Sequence, residues 1–556
     1  MLKNYLRINP VNSTKMKLNI YTLIILLSSV ITVSAQSPDW YWAQSAGGSK
    51  ADEGIAITSD IEGNVFLSGE FESPTITFGN FVINNTGHGD IFIVKYDPSG
   101  NVLWAKGFGG TDDDECTSIS ADSHGNIYLA GYTGSKTLYF GNLSISNSGE
   151  GMDIFLAKLD AGGNALWAKN INGSDYEYGG SVATDPAGNV YLAGCFESRT
   201  LSIGNSTLTN AGDYDVFIAK YDPSGNPLWA RSAGGNNDDK GSIVSTDAVG
   251  NVYLTGYFES QTISFGANTL TTAGNNDIFV VKYDFSGNVL WAKSAGGNGE
   301  DYNKGLSIDA DGNVYVAGGF ESQTMSFGNI SLTNSGNVDV FIAKYDASGN
   351  VLWSKSLGGS NKDCAYGIAL DLSGNLYLTG VFGSSSFMVG NATLPYRGYF
   401  DTFIAKYNPD GNVLWASGAG GSNNDWGNSI ACNPNGDVYL TGTFESSEIS
   451  FGTSALWNAG DEDVFIAKLN SSVGIDENSP ENKFVVYPNP AKNSFSVVFP
   501  PSATKIRILK SDSRLLQESY PHNETKLEFS LQHDGIYIVQ VTANDRTYTK
   551  KLVVCK

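Results

Sequence analysis

The sequence is poor in the residues that most often carry chemistry. Its 556 residues include only five cysteines and four histidines. Cys116, Cys195, Cys364, Cys432 and Cys555 are odd in number, irregular in spacing and without a C-x-x-C pair, which excludes a disulfide framework. His88, His124, His522 and His533 are scattered, which speaks against a zinc motif and against a local Cys–His nucleophile. Basic residues are scarce too: 34 Lys and Arg face 57 Asp and Glu, for a formal charge of −23. Such a chain, with no basic stretch, repels nucleic acid and anionic membranes, so cations, neutral glycans and proteins are the easier partners. Long apolar runs are missing beyond the first 35 residues, and the repeats described below show no helical periodicity.

What is abundant is glycine, with 65 residues, and aromatics, with 28 Tyr, 28 Phe and 10 Trp. The aromatics exclude disorder as the main state, and the glycines follow no collagen period. Near the start, Lys15-Met16-Lys17, an apolar core over Leu18–Leu27 and Val33-Ser34-Ala35 before Gln36 read as a secretory signal peptide over 1–35. Met16 serves as an alternative start. The other reading, a membrane anchor, is disfavoured because Ser28, Ser29, Thr32 and Ser34 cut the run short of a span of about 20 apolar residues. The expectation is a mature chain with no transmembrane span, secreted or held at the outer cell surface.

Trp42, Trp104, Trp167, Trp229, Trp291, Trp353 and Trp415 stand 62 or 63 residues apart. Asp90, Asp153, Asp215, Asp277, Asp339, Asp401 and Asp463 keep the same register. Fixed self-similarity means stacked supersecondary units. In the unit from Gly241 to Gly297, short β-branched and aromatic runs alternate with turn residues, predicting strands A (near Ile243–Thr246), B (Asn251–Tyr257), C (Asp277–Tyr283) and D (Asn288–Ser294). Asp247–Asn251 and Asp284–Asn288 read as tight turns between A and B and between C and D. The F-E-S-x-T-x-x-F-G segment between B and C adds a short strand or an ordered loop. The last unit lacks strand D, and one orphan copy, Asp39-Trp40-Tyr41-Trp42-Ala43, stands at the other end. Pairing the two closes a ring and removes an exposed edge. The fold class is therefore all-β: a seven-bladed β-propeller of four-stranded blades over 38–470, closed by an N-terminal strand. An open array of small β-sandwiches would not need that permutation.

Asp247-Ala-Val-Gly-Asn-Val-Tyr-Leu-Thr-Gly256 and Asp215-Val-Phe-Ile-Ala-Lys-Tyr-Asp222 resemble the SBBP-type bacterial β-propeller repeat, from about Ser37 to Asn470. This resemblance implies the propeller fold but no particular activity. A polar linker over 471–483 follows. Over 484–556, short alternating segments suggest a small Ig-like β-sandwich. Tyr487-Pro488-Asn489-Pro490, Asp534-Gly535-Ile536-Tyr537 and Lys550-Lys-Leu-Val-Val554 resemble the type A sorting domain of the type IX secretion system of Bacteroidota, although Asn493 stands where that family has glycine. The resemblance implies passage through the periplasm, recognition by the secretion machinery and removal of the tail; the alternative is an ordinary adhesive module.

Candidate chemistry lies in the acids. Ten residues after each unit tryptophan come Asp52, Asp114, Glu177, Asp239, Asp301, Asp363 and Asp425. Five units add Glu72, Glu197, Glu259, Glu321 and Glu445, and the Asp90 series completes a set that should gather on one face. One reading is that these acids cap loops and strand starts, with Lys95 and its six counterparts neutralising their neighbours. The other is an acidic ligand face that could take Ca2+, with Asp112-Asp113-Asp114-Glu115 as its densest cluster, although no calcium-loop spacing occurs. No further cofactor is expected. Tyr176, Arg397, Tyr399, Trp426 and Trp457 are specific to single units and could stack on sugars or grip a protein. Similar units offer no unique catalytic pair. The expected function is non-enzymatic binding or adhesion to protein or glycan; the alternative is a polysaccharide hydrolase or lyase.

Overall fold

The computed structural model describes residues 39–147, 151–469, 485–487, 494–499, 503–510, 514–521, 524–531, 533, 535–543 and 546–554. The signal segment, the linker, Pro488-Asn489-Pro490 and Asp534 lie outside the described residues. Those described form strands and turns, with no helix among them.

Seven four-stranded antiparallel sheets succeed one another along 40–469. The fourth is typical. Strand A is Asp239–Thr246, B is Val252–Phe258, C is Asp277–Tyr283 and D is Val289–Ala295. A starts earlier than its apolar pattern suggests because a bulge between Gly241 and Ile243 breaks the alternation. B and C are buried along almost their whole length, whereas A and D are half-buried. That is why B and C read as near-continuous Val, Ile, Leu, Tyr and Phe. The A–B turn is built by Asp247, whose Oδ1 accepts the N–H groups of Val249 (3.1 Å) and Asn251 (2.8 Å). Gly250 supplies the left-handed φ of 87° at that turn. The F-E-S segment forms more than one short strand: Thr262–Phe265 and Asn268–Thr271 pair as a separate hairpin.

Successive sheets share core. Tyr315 and Ile342 of the fifth sheet pack with Leu378 and Phe403 of the sixth. The unit tryptophans fasten these contacts. Trp229 Nε1 donates to the Phe285 carbonyl (3.3 Å) and Trp291 Nε1 to the Ala347 carbonyl (3.1 Å), each in the C–D turn of the next sheet. Five of the strand C lysines reach the same carbonyls; Lys220 Nζ lies 3.1 Å from Phe285 O. Six of the seven strand C lysines pair with the A–B turn acids of their own sheets, as in Lys95–Asp60 (3.3 Å) and Lys344–Asp309 (3.5 Å). The neighbours that these lysines neutralise are thus the turn acids, because the length of strand C separates a lysine from its strand-start aspartate.

The seventh sheet is completed by Trp40–Ala46, which runs antiparallel to Asp463–Leu469 with Ala43 opposite Ala467. Trp42 Nε1 and Lys468 Nζ then donate to the Pro98 carbonyl of the first sheet. Val65, Leu67 and Phe92 of the first sheet pack with Tyr439, Val464 and Ile466 of the seventh.

In the C-terminal region, Val485–Tyr487, Ser494–Val498 and Lys526–Ser530 form a three-stranded sheet. Leu515–Ser519, Ala503–Lys510, Gly535–Ala543 and Arg546–Val554 form a four-stranded one. Phe495, Val497, Ile506, Ile508, Val539 and Leu552 share one core.

Candidate functional site

Register brings the first- and third-strand acids to one end of each sheet, and the Glu72 series joins them in five of the seven. Asp52 at the start of A pairs with Phe71 at the end of B, and Phe71 with Asp90 at the start of C. Burial then divides them. Asp52, Asp114, Glu177, Asp239, Asp301, Asp363 and Asp425 are each 0% exposed. Asp239 shows their role: its carboxylate accepts the N–H of Gly235 (2.7 Å), the N–H of Ser260 (3.2 Å) and the Ser260 hydroxyl (2.8 Å). It ties the loop entering A to the loop leaving B. These seven therefore do not present themselves to solvent as an acidic ligand face, and their geometry is that of loop caps. Burial pushes their carboxyls up, to about 6 for Asp114 and Asp363 and about 7 for Glu177 and Asp425.

The aspartates that open C are buried as well. Asp215 Oδ2 accepts the Ala211 N–H (2.9 Å), while its Oδ1 has no hydrogen-bond donor among the described residues. A β-carbon on Gly234 would lie 2.0 Å from that oxygen, so glycine is required, and its Cα–H faces the carboxylate instead. On Gly235, a β-carbon would lie 2.5 Å from Ser260. The Gly-Gly pair after strand D is thus the signal for these buried caps, readable only once the register is known. Of the third series, Glu72, Glu197 and Glu321 are exposed, and Glu259 and Glu445 are half-buried.

Beside these caps, the first strands of consecutive sheets touch. Thr117 Oγ1 donates to Gly179 O (2.7 Å), Thr246 Oγ1 to Thr184 O (2.8 Å) and Asn428 Nδ2 of the seventh sheet to Gly54 O of the first (3.0 Å). Beside these contacts, the second residue of A faces the sixth of B. The seven pairs are Glu53–Glu70, Glu115–Tyr132, Tyr178–Cys195, Lys240–Tyr257, Tyr302–Gly319, Cys364–Val381 and Trp426–Thr443. The unit copies its core and its turns, yet none of these pairs is repeated. The Tyr, Lys, Cys and Trp members were not singled out as a set from sequence, apart from Trp426. The available signal was their departure from the repeat.

These pairs make one end acidic on one side and aromatic on the other. Glu70 is pushed up to about 8 by burial and by the charges of Glu115, Glu53, Asp113 and Glu72. Glu462 is raised to about 7 by burial, Glu53 and Glu445. Among the described residues, no Lys or Arg forms an ion pair with Glu53, Glu70, Glu72, Glu115 or Glu462. The Tyr132 hydroxyl donates to Glu115. Tyr132 meets Tyr178 edge-on at 5.4 Å between ring centroids, and Tyr178 meets Tyr214 at 5.8 Å. Lys240 Nζ lies 4.6 Å from the Tyr214 ring centroid. The half-exposed Tyr176 stacks beside Tyr178 at 6.4 Å.

The densest acidic run is split by the fold. Asp114 is buried as a cap and Glu115 belongs to the acidic end, while Asp112 and Asp113 stay in the loop, where His88 Nδ1 lies 3.4 Å from Asp112 Oδ1. Tyr399, Arg397 and Trp457 lie away from these seven pairs, on the segments between B and C. Of the sorting motif, Gly535 opens a strand and Tyr537 is buried, its hydroxyl donating to His533 O (2.8 Å). Tyr487 ends the strand Val485–Tyr487.

Comparison with known proteins finds the β-propeller repeat at residues 103–139 and 352–381, and the secretion system C-terminal sorting domain at residues 485–555. An uncharacterized WD repeat-containing protein of Acanthamoeba polyphaga mimivirus is 25% identical over 77% of this chain and 38% of its own length. The regulatory protein FlaEY of Caulobacter vibrioides is 27% identical over 43% of this chain and 27% of its own length. The chain thus spans well under half of the curated relatives it matches. Among solved structures, YCF48 bound to D1 peptide is 9% identical with a TM-score of 0.34, covering 79% of this chain and 99% of that one. The apocarotenoid oxygenase of Synechocystis is 10% identical with a TM-score of 0.36, covering 78% of this chain and 94% of that one.

Proposed function

We propose that this chain, which carries SBBP β-propeller repeats and a type IX C-terminal sorting domain, is an exported, non-enzymatic binding protein that grips a cationic protein segment. The sorting domain implies contact with the secretion machinery and delivery to the cell surface or beyond. The signal peptide read over 1–35 would supply the first step, through the periplasm. The seven sheets are read as blades of a closed seven-bladed propeller. The Trp40–Ala46 strand, the core shared by first and last sheets and the Asn428–Gly54 hydrogen bond support that reading.

The observation that carries the binding role is the set of seven unlike pairs. A duplicated unit keeps what folding needs, and at this end it keeps no pair at all. Glu53, Glu70, Glu72, Glu115 and Glu462 crowd carboxyls without the lysines that the fold supplies elsewhere, so an incoming cation would favour their ionised forms, and Tyr132, Tyr178 and Tyr214 stand beside them. Carboxylates with aromatic faces suit Lys and Arg side chains better than a neutral glycan. A fluorescent Lys/Arg-rich peptide should bind with affinity that falls as salt rises, and Glu53→Gln with Glu70→Gln should weaken it. Equal affinity for a Glu-rich peptide of the same length would refute the assignment.

A second reading, a polysaccharide hydrolase, is favoured by one observation. Glu70 is pushed up to about 8 by burial first and by the charges of Glu115 and its neighbours, and a carboxyl raised in this way can serve as a general acid. Sugar release from a polysaccharide panel that disappears in Glu70→Gln would establish it.

A further inference from the structure

One junction between sheets carries side chains that no other junction has. Gly87-His88-Gly89 leads into strand C of the first sheet, and Thr111-Asp112-Asp113 into strand A of the second. Their backbones are fixed. The Asp114 N–H donates to Gly89 O (2.9 Å), Asn85 Nδ2 to His88 O (3.0 Å), the Asp112 N–H to Ser135 Oγ (2.9 Å) and the Gly134 N–H to Asp113 O (2.7 Å). The side chains of His88 and Asp112 stay largely open to solvent, 75% and 56% exposed.

One ligand atom each from His88, Asp112 and Asp113 lies within 4.8 Å of the others. His88 Nδ1 and Asp112 Oδ1 are 3.4 Å apart, and that oxygen also accepts the Asp113 N–H at 3.1 Å. Two ligand atoms bonded at about 2.0–2.1 Å to one tetrahedral ion are themselves roughly 3.4 Å apart. The other six junctions present the same pair of loops without this chemistry. The sheet 2–3 junction has Gly151, Asp175 and Tyr176, and the sheet 5–6 junction has Asn337, Asn361 and Lys362. Holding the loops together therefore does not require a histidine and two carboxylates.

We propose that His88 Nδ1, an Asp112 oxygen and an Asp113 oxygen bind one first-row divalent transition ion, with Zn2+ as the fitting case. Three protein ligands leave the fourth tetrahedral position to water or to a donor from a ligand. Imidazole selects against calcium, which takes six to eight oxygens. The cluster that reads in sequence as a weak calcium candidate is thereby reassigned: Asp114 and Glu115 leave it, and His88 joins it.

The test is calorimetric titration of the full chain, stripped with chelator, using ZnCl2 and, in parallel, CaCl2. One equivalent of Zn2+ should bind in the native protein and vanish in His88→Ala and in Asp112→Asn/Asp113→Asn, with no His88-dependent heat from Ca2+. Zn2+ binding of unchanged stoichiometry in His88→Ala, or none in the native chain, overturns the proposal. Melting temperatures check that the variants fold. Should one not fold, the visible absorption of Co2+ bound to the native chain, displaced by one equivalent of Zn2+, tests the same site; absence of that band also overturns the proposal.

Discussion

At the residue scale, this protein buries carboxylates that most proteins keep wet. Two per sheet lie beneath the surface, capped by backbone N–H groups and serine hydroxyls yet still desolvated enough that burial dominates their titration. Asp215, Asp277, Asp401 and Asp463 are pushed up to about 6, and Glu177 and Asp425 to about 7. The folded state therefore holds protons between about pH 4 and 7 that the unfolded chain releases. That contribution to stability is complete below the unfolded values and is lost as pH rises through 6 to 7. The turn carboxylates act in the opposite sense. Asp160, Asp222 and Asp346 are lowered by hydrogen bonds from Asn164, Asn226 and Asn350, so their contribution is lost as pH falls below the ordinary aspartate range. The two windows place maximum stability in mild acid. The melting temperature should be higher at pH 5 than at pH 8, and a scan that is flat or rises toward pH 8 would contradict the burial argument. The acids themselves were visible in sequence as a periodic set. Their burial was not, because it depends on glycines such as Gly234 that approach from another strand.

At the scale of the element, the strand pattern was largely legible. Strand C of the fourth sheet, Asp277–Tyr283, coincides with its apolar run, and B and D shift by one residue. The hairpin Thr262–Phe265 with Asn268–Thr271 was harder to see, since four-residue strands carry too little alternation to separate from an ordered loop. Leu515–Ser519 is equally hard to read from sequence, its five residues being mostly exposed. The lysine in strand C reads in sequence as a neutralising group, but its partner is not legible there. Its true partner is the A–B turn acid, and the pair is almost dry: Lys95 and Asp60 side chains are 9% and 4% exposed at 3.3 Å. Removing one member of such a pair strands a buried charge. Lys95→Met should cost about 3–5 kcal/mol in urea unfolding. Adding Asp60→Asn, which keeps the oxygen that accepts the turn N–H groups, should restore much of that loss. Equal stability of the single and double variants would show that the pair is not coupled.

At the scale of the whole molecule, the permuted strand was the most informative feature of the sequence, because an orphan at one end and a gap at the other have one economical solution. The seven unlike pairs were less accessible: each residue could be seen to depart from the repeat, but only register brings second residues of A beside sixth residues of B. Deleting residues 40–45 should expose the edge of Asp463–Leu469 and remove the Trp42 and Lys468 contacts to Pro98. The melting temperature should drop sharply, and an unchanged value would mean that the seventh sheet stands without its fourth strand.

The same pairing sets an order in time. Ala46 meets Val464 more than 400 residues later in the chain, so the segment synthesised early must wait for one synthesised late. Until then, six repeats can form their sheets from neighbouring sequence while the last keeps a bare edge, and the nascent chain cannot complete its architecture halfway through synthesis. For a chain that carries a C-terminal sorting domain, the final sheet therefore assembles only when the whole repeat region has arrived in one compartment.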